Sequence, residues 1–491
     1  MRLMKHVFPI LLCLFVSLLS AGEPTKPNIV FILCDDLGVN DLNCYGRADH
    51  RTPHLDRLAS DGMRFTSAYA AQSICSPSRA ALLTAKTPAR LHLTTYLPGR
   101  PNSPAQKLLH PPIAQQVPLE EKTIPDYFKP HGYATAAIGK WHVGGDGFGP
   151  KEHGFDVVAT ASPRTEPSAT EGSKGEYALT RAAEGFIETN RNRPFFLYLA
   201  HHNPHIPYRA LPEHIATHAR AFEPTYAAVI ETLDTVVGRI LAKLDSLQLT
   251  ERTLIIFTSD NGGLHVPEGG HNRVTHNTPF RAGKGFLYEG GLRIPLIARW
   301  PGRIPAGRVV ATPVVNTDWV PTLLTLAGLP VPTGVDGIDT SPILLGRGAT
   351  PQRPFHCHFP HYNNQGGRPG GAMRDGNWKL VEFYDAPDAP ELYDLATDIG
   401  EQTNLAASQV DRVMTMRAAL ARWRDSIRAQ SNTPNPAVDG SRYREIYLDF
   451  DISRFAPATA DAATWERVAR WRQLMNAAVS AGGKKNNVKR P

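Results

Sequence analysis

The sequence predicts an α/β protein, a mixed sheet sandwiched by helices, followed by a smaller C-terminal α+β subdomain. Continuous apolar, β-branched runs recur along the first half of the chain, and segments with apolar residues at 3–4 spacing lie between them. After about residue 345 this gives way to short strand-like runs and one amphipathic helix.

The first element is Asn28-Ile-Val-Phe-Ile-Leu-Cys34. It is apolar on both faces, as a strand buried within a parallel sheet must be, and it ends in Asp35-Asp36. Three more runs behave alike. Tyr133 to Ile138 leads into Gly139-Lys140-Trp141-His142, Phe195 to Ala200 into a His-rich turn, and Leu254 to Thr258 into Asp260-Asn261. Each strand therefore delivers polar residues at its C-terminal end, where open α/β sheets build their sites. Helices are expected over Ser78–Ala85, Tyr226–Leu247 and Trp319–Leu326. The second carries Tyr226, Val229, Ile230, Leu233, Val237 and Ile240 on one core-facing stripe. Beyond residue 345, Asn377–Tyr384 and Glu391–Leu395 read as strands joined by a turn around Pro387–Pro390. A helix follows over Val410–Arg428 with Val413, Met416, Leu420 and Trp423 on one face. The expected units are 23–345, 346–480 and a disordered basic tail, 481–491. The loops Pro98–Pro118 and Asn261–Lys284 are long, and long loops at strand ends are where sites are often built.

With 491 residues there is enough chain for two domains, and 42% hydrophobic against 20% charged residues argues against disorder or coiled coil. The net charge is +7, and the one basic cluster, Lys484, Lys485, Lys489 and Arg490, reads as a solvated end rather than a nucleic-acid site. Arg2 and Lys5 precede an apolar run from Val7 to Leu19 and the small residues Ser20, Ala21 and Gly22. That is the layout of a signal peptide, 1–22, and predicts export to the periplasm or beyond. The run is short for a membrane span and no second candidate follows, so no stable span is expected. Four cysteines remain: Cys34, Cys44, Cys75 and Cys357. They show no metal-type pairing, and at this density no disulfide scaffold is expected.

Asp35-Asp36 and Asp260-Asn261 each terminate an apolar strand. Three converging carboxylates would repel one another without a cation, and an all-oxygen set favours Ca²⁺ or Mg²⁺ over Zn²⁺. Cys75 lies in Cys75-Ser-Pro-Ser-Arg79, ahead of a helix. As a thiol it could be a nucleophile of lowered pKa. The same five residues match the C-x-P-S-R signal by which a cysteine is converted to formylglycine.

Here the chain resembles the type I, formylglycine-dependent sulfatases, an arylsulfatase-like family within the alkaline phosphatase superfamily. Phe31 to Gly38 is similar to the family's first metal motif, and Thr52 to Ala59 to the helix after it. Cys75 to Thr84 resembles the formylglycine signature, Gly139 to Gly144 the Lys/His motif, and Asn203 to Pro207 the later His motif. Thr258 to Gly262 is similar to the second metal motif, and Gly283 to Gly285 with Tyr288 to Pro295 to the final Lys motif. These motifs run in family order over roughly residues 27 to 400.

The resemblance implies an alkaline-phosphatase-like fold and a sulfuric ester hydrolase. It implies Ca²⁺ held by Asp35, Asp36, Asp260, Asn261 and the formylglycine made from Cys75, with Arg79, Lys140, His142, His205 and Lys284 around the sulfate. One hydroxyl of the hydrated aldehyde would attack sulfur, activated by the metal. Lysines, Arg79 and Ca²⁺ would stabilise the sulfuryl oxygens. His205 or Lys284 would protonate the leaving oxygen, with His142 a candidate base. A formylglycine-generating maturation enzyme is an implied partner. The expected substrate is a small-molecule or oligosaccharide sulfate ester. A sulfated carbohydrate is favoured, and terminal galactose or N-acetylgalactosamine is suggested by bacterial polysaccharide exo-sulfatases. The alternatives are a formylglycine-dependent phosphonate or phosphodiester hydrolase, and a sulfated-glycan binding protein with Cys75 unconverted.

Other polar residues carry no motif. His201 and His202 are expected to be structural. His265, His271 and His276 could contact substrate or sit in a solvated loop. His356-Cys357-His358 with His361, Asn363, Asn364 and Gln365 is an unusually polar segment, either a surface loop or one that reaches over the site to read sugar hydroxyls.

Overall fold

The computed structural model describes residues 26–348 and 352–484. The expected signal peptide lies outside them. Among the described residues the strands are β1 (Asn28–Asp35), β2 (Met63–Tyr69), β3 (Leu108–Leu109), β4 (Ala134–Gly139), β5 (Val157–Ala159), β6 (Phe195–Pro204), β7 (Thr253–Ser259), β8 (Arg293–Arg299), β9 (Arg308–Val310), β10 (Val314–Val315), β11 (Phe355–Phe359), β12 (Gly370–Asp375), β13 (Trp378–Phe383), β14 (Ala386–Asp394) and β15 (Thr433–Pro434).

The large sheet runs β10-β2-β8-β7-β1-β6-β4-β5, with β9 also paired to β2. The four strands expected from their apolar runs are its adjacent centre, β7-β1-β6-β4, all parallel. Every residue of β1, β6 and β7 is buried. The sheet becomes mixed through β8, antiparallel to both β7 and β2. Neither β2 nor β8 was expected: charged residues and Pro295 interrupt their apolar runs, and long-range pairing decides them. Two hydrophobic cores, one on each side of the sheet, account for the sandwich.

Three helices fall close to their expected bounds, at Cys75–Thr84, Pro224–Ser246 and Trp319–Leu326. The first starts three residues earlier than expected, so Cys75 opens the helix instead of preceding it. Helix Pro224–Ser246 also stabilises a neighbour: Asp234 accepts from the backbone N–H of His54 (3.2 Å) and Leu55 (2.8 Å), the first turn of helix Pro53–Ser60. These are donors a helix cannot satisfy internally.

The C-terminal unit is a four-stranded antiparallel sheet, β11-β12-β13-β14, backed by helix Val410–Ser426. Two expectations are corrected here. The turn around Pro387–Pro390 is absent; the chain reverses at Tyr384-Asp385, and β14 runs straight through those prolines. Proline is tolerated because β14 is an edge strand, where an N–H need not pair. And His356-Cys357-His358 is strand β11, not a loop, with Phe355, Cys357, His358 and Phe359 buried. A last helix, Ala462–Lys484, passes the boundary expected at 480; residues 485–491 lie outside the described residues. Among the described residues no helix is long and apolar enough to cross a membrane. Among the described residues Cys34, Cys44, Cys75 and Cys357 form no disulfide.

Candidate active site

The four parallel strands all point their C-terminal ends at one spot. Asp35 closes β1, and Asp36 turns away from it with φ +65°. Asp260 and Asn261 follow β7, Lys140 and His142 follow β4, and His205 follows β6. Gly139 lets β4 deliver Lys140. Its φ is +106°, and a Cβ there would lie 1.9 Å from the Ala200 carbonyl oxygen of β6. Gly262 plays the same part after β7, where a Cβ would stand 1.9 Å from Gly290 O, so the Asp260-Asn261 turn packs against the turn that follows Lys284. Cys75 is the first residue of a helix whose ten residues are all buried, with Arg79 one turn further on.

The structure brings together every residue expected at the site. One ligand atom each from Asp35, Asp36, Cys75 and His205 all lie within 4.8 Å of one another. His205, which the resemblance placed around the sulfate and the aldehyde, belongs to this group, and Asp260, expected among the metal ligands, does not. Asp260 accepts from the Asp36 N–H (3.1 Å), and Asn261 Nδ2 donates to Asp36 Oδ1 (2.8 Å). Three cations close over the three carboxylates. Arg79 Nε meets Asp260 Oδ2 at 2.8 Å, Lys140 Nζ meets Asp35 Oδ2 at 2.6 Å, and Lys284 Nζ meets Asp36 Oδ2 at 2.7 Å. His205 Nε2 is 3.5 Å from the same Asp36 oxygen. Arg79 Nη1 also donates to Lys140 O (2.9 Å), tying the helix to the β4 motif. His142 Nε2 faces Leu97 O at 3.2 Å.

Burial and these pairings set the charge states. Burial raises the Asp35 carboxyl, but Lys140, His205, Arg79 and Lys284 together hold it well below the ordinary range, and Asp36 is lowered chiefly by Lys284. Asp260 goes the other way, to about 6, because burial and its two carboxylate neighbours outweigh Arg79. Lys284 is held well above the lysine range, since Asp36 overrides the effect of burial. His142 is pushed down to about 3 by burial and Lys140, and His205 to about 4 by burial and Lys284. The Cys75 thiol is driven up to about 12 by burial. A plain cysteine here is a protonated thiol and a poor nucleophile.

Two acceptors test the fit of a cation. Asp35 Oδ1 and Asn261 Oδ1 are buried and accept no hydrogen bond. Buried oxygens of this kind are costly unless something positive meets them; Asp35 Oδ1 has only Arg79 Nη2 at 3.7 Å, and the carboxylate and amide oxygens gathered here suit a hard divalent ion. The donor set fits such an ion.

A cleft of about 510 Å³ opens onto this cluster, bordered by Asp35, Lys140, His142 and His205 and by Trp141, Arg164, Lys174, His202, Ile206 and Pro207. Lys174 is a site residue that the sequence did not signal: it stands alone in a Gly/Ser-rich loop, outside any motif. It is fully buried, its ammonium donates to the His205 carbonyl, and burial lowers it to about 8. His201 is structural, its Nδ1 2.5 Å from Glu176 Oε2 with both side chains buried. His202 is bonded to Ala161 O (3.0 Å) and also borders the cleft. His265 is buried against Ile452, His271 accepts from Tyr208 N, and the His276 carbonyl accepts from Arg47, so each of the three holds its own loop. From the second sheet, Asn363 does reach the site's rim, where its Nδ2 donates to Gly285 O next to Lys284.

The known proteins this chain resembles agree with this geometry. The family model "Sulfatase" matches residues 27–329 and "N-sulphoglucosamine sulphohydrolase, C-terminal" matches 281–426. Arylsulfatase A of Homo sapiens is 34% identical over 450 residues, covering 79% of this chain and 84% of that protein. N-acetylgalactosamine-6-sulfatase of Canis lupus familiaris is 37% identical over 371 residues, 68% of this chain and 69% of that one. Among solved structures, Ps i-CgsB in complex with k-i-k-neocarrahexaose superposes with a TM-score of 0.70 at 29% identity, over 81% of this chain and 93% of that chain. PsFucS1 sulfatase from Pseudoalteromonas sp. gives 0.66 at 26%, over 83% and 92%. The chain belongs to the sulfatase family. It is an enzyme that hydrolyses sulfate esters, built on the alkaline-phosphatase-like mixed sheet that the resemblance implied.

Proposed function

We propose that this protein is an exported, Ca²⁺-dependent sulfatase of sulfated carbohydrates that uses a formylglycine made from Cys75. The observation that supports it most is the meeting of Asp35, Asp36, Cys75 and His205 within 4.8 Å, with Lys140 and Lys284 on the carboxylates. Asp35, Asp36, Asp260 and Asn261 would hold the Ca²⁺, which would supply positive charge to the sulfuryl oxygens. Formylglycine at position 75, made by a maturation enzyme before folding buries it, would supply an oxygen nucleophile and an aldehyde to regenerate.

The remaining roles follow from charge state. Arg79, Lys140 and Lys284 are cations around the place proposed for the ester sulfate, where they would stabilise charge on its oxygens, Lys284 until it gives up its proton. Of the two candidates for delivering a proton to the leaving oxygen, Lys284 carries one at neutral pH, and His205, lowered to about 4, does not. His142, lowered to about 3, is free to accept one. The Lys174 ammonium holds the His205 carbonyl and so fixes the turn that presents the imidazole.

The substrate side rests on relatives. N-acetylgalactosamine-6-sulfatases and the carrageenan-oligosaccharide complex of Ps i-CgsB favour a sulfated sugar, with terminal galactose or N-acetylgalactosamine the first to try. The test has two stages. The peptide containing position 75, from protein made with its maturation enzyme, should weigh ~18 Da less than its cysteine form. Sulfate release is then measured on a panel of sulfated sugars beside a phosphonate monoester and a phosphodiester. An unmodified, active Cys75 would sink the formylglycine mechanism, and preferential turnover of the phosphorus esters would replace the substrate assignment.

A further inference from the structure

Beside Lys284, on the side of the second sheet, lies a second group of cations that the reaction above does not use. Arg100, from the Pro98–Pro118 loop, and Arg472, from the last helix, each donate one N–H to consecutive carbonyls: Arg100 Nη1 to Asn363 O and Arg472 Nη1 to Asn364 O, both at 2.8 Å. Arg100 Nη1 also lies 3.7 Å from Met475 Sδ. Arg100 is only 7% exposed. Nε and Nη2 of both guanidiniums are buried and make no well-formed hydrogen bond, although the buried Tyr447 hydroxyl lies beside Arg100; Asn364 Oδ1 and Gln365 Oε1 are likewise unpartnered. Arg472 is pushed below the usual arginine range by burial and by Arg100, against the pull of Glu268. That one carboxylate is already engaged by Gln365 Nε2 at 2.5 Å. Two buried guanidiniums therefore stand together with surplus donors.

The group is continuous with the active site. The turn that carries Asn363 to Gln365 is packed on Gly285: a Cβ at Gly285 would lie 2.8 Å from Asn363 Nδ2 and 2.9 Å from Gln365 Oε1. Glu268 acts electrostatically on Lys284, and Tyr96 feels both Arg100 and Lys284. Tyr96, Glu268, Asn364 and Arg472 are half-buried and form the outer edge. Arg100 also borders a cavity of about 580 Å³ with Asn102, His110 and His361, a volume in the range of ligand sites.

We propose that Arg100 and Arg472 form a subsite for a second anionic group, a sulfate or carboxylate carried on the same saccharide as the ester being cleaved. Paired guanidinium donors recognise oxyanions by bidentate hydrogen bonds, and the free amide oxygens of Asn364 and Gln365 accept from sugar hydroxyls. The preferred substrate is then an oligosaccharide with at least two negative groups on neighbouring positions. This rests on the carbohydrate reading given above.

The test measures binding, so it does not depend on turnover. Cys75→Ala protein is titrated by calorimetry with a monosulfated saccharide, its disulfated counterpart, and the monosulfated unit linked to a uronic acid. The second anion should tighten binding by about tenfold or more. The stronger of the two dianionic ligands identifies the group. In Arg100→Gln and Arg472→Gln that advantage should fall below about twofold, and Arg472→Lys should recover part of it. Arg472 is half-buried on the last helix, so its variant keeps the test open if Arg100→Gln does not fold. Equal loss for monoanionic and dianionic ligands, or no gain from a second anion in the parent protein, overturns the subsite. A parent that binds as expected while the matured enzyme releases no sulfate defeats the hydrolytic reading alone.

Discussion

Two buried ionic clusters in this molecule make a useful contrast. One is the active site, with three carboxylates and three cations. The other joins the two sheets: Glu289 accepts from Tyr69 (2.7 Å) and Arg293 (2.7 Å), and Lys379 lies 2.9 Å from Glu289 and 2.8 Å from Glu401. Both are almost wholly buried. They differ in what is left over. Lys379 comes from β13 and Glu289 from the turn before β8, so in the second cluster the charges lock the subdomain to the main sheet. There Glu401 Oε1 makes no hydrogen bond but has Lys379 Nζ at 2.8 Å; in the first, Asp35 Oδ1 and Arg79 Nη2 stay without a hydrogen bond at 3.7 Å from one another, and Asn261 Oδ1 has none either. Buried polar groups are normally matched, and leftover ones mark a site that expects a ligand. The interface cluster is costly to break because its charges are buried, and the site keeps some of its buried groups available.

Breaking the site at its nucleophile has the largest expected effect. Cys75→Ala should lower sulfate release on the order of 10⁴-fold or more, with the melting temperature little changed, because the side chain is small and the surrounding helix is packed independently of it. Retained activity would show that the nucleophile lies elsewhere. Breaking the interface is next. Lys379→Met takes the cation from buried Glu401 and leaves Glu289 with Arg293 and Tyr69, and chemical denaturation should report a loss of about 3–5 kcal/mol. Activity per folded molecule should hold. A loss below about 1 kcal/mol would mean the pair is not held as described.

A third experiment separates the clusters directly. Lys284→Ala removes one cation from the site and should cost about 10²- to 10³-fold in kcat, as loss of one charge-stabilising donor does, with a smaller change in stability. If denaturation midpoint and kcat fell together, the two clusters would be alike in kind. Chelation sharpens the same point: removal of Ca²⁺ should lower both activity and melting temperature, and added Ca²⁺ should restore them by mass action. The interface variant should keep that response. The smallest effect is expected away from both clusters. Asp234→Ala removes the two donors' partner at helix Pro53–Ser60 and should cost about 1 kcal/mol by chemical denaturation, with kcat unaltered. A kcat change there would mean that this helix is coupled to the site.

The central sheet was legible because its strands are buried on both faces. An apolar run of that kind has few other places to go, and β1, β4, β6 and β7 were all found where the sequence put them. Most site residues were legible for a related reason: Asp35, Asp36, Lys140, His205, Asp260 and Asn261 lie at the ends of such strands and Cys75 opens a buried helix, whereas Arg79 and Lys284 were placed by the family resemblance. The edges were not. β14 accepts two prolines since one of its sides needs no partner, and β11 hides its strand character behind two histidines. Lys174, Arg100 and Arg472 carry no local pattern at all; each owes its place to a contact with a distant segment.

By itself, then, the sequence determined the parallel core, the order of the motifs and the kinds of side chain delivered to the strand ends, because local burial and periodicity suffice for these. Tertiary structure alone decided which strands of the mixed sheet run antiparallel, the pairing of each cation with its carboxylate, the charge states of His142, His205 and Lys284, and the cationic group beside Lys284. Those depend on distances between residues far apart in the chain and on how completely water is excluded around them, and neither quantity is written in any one segment.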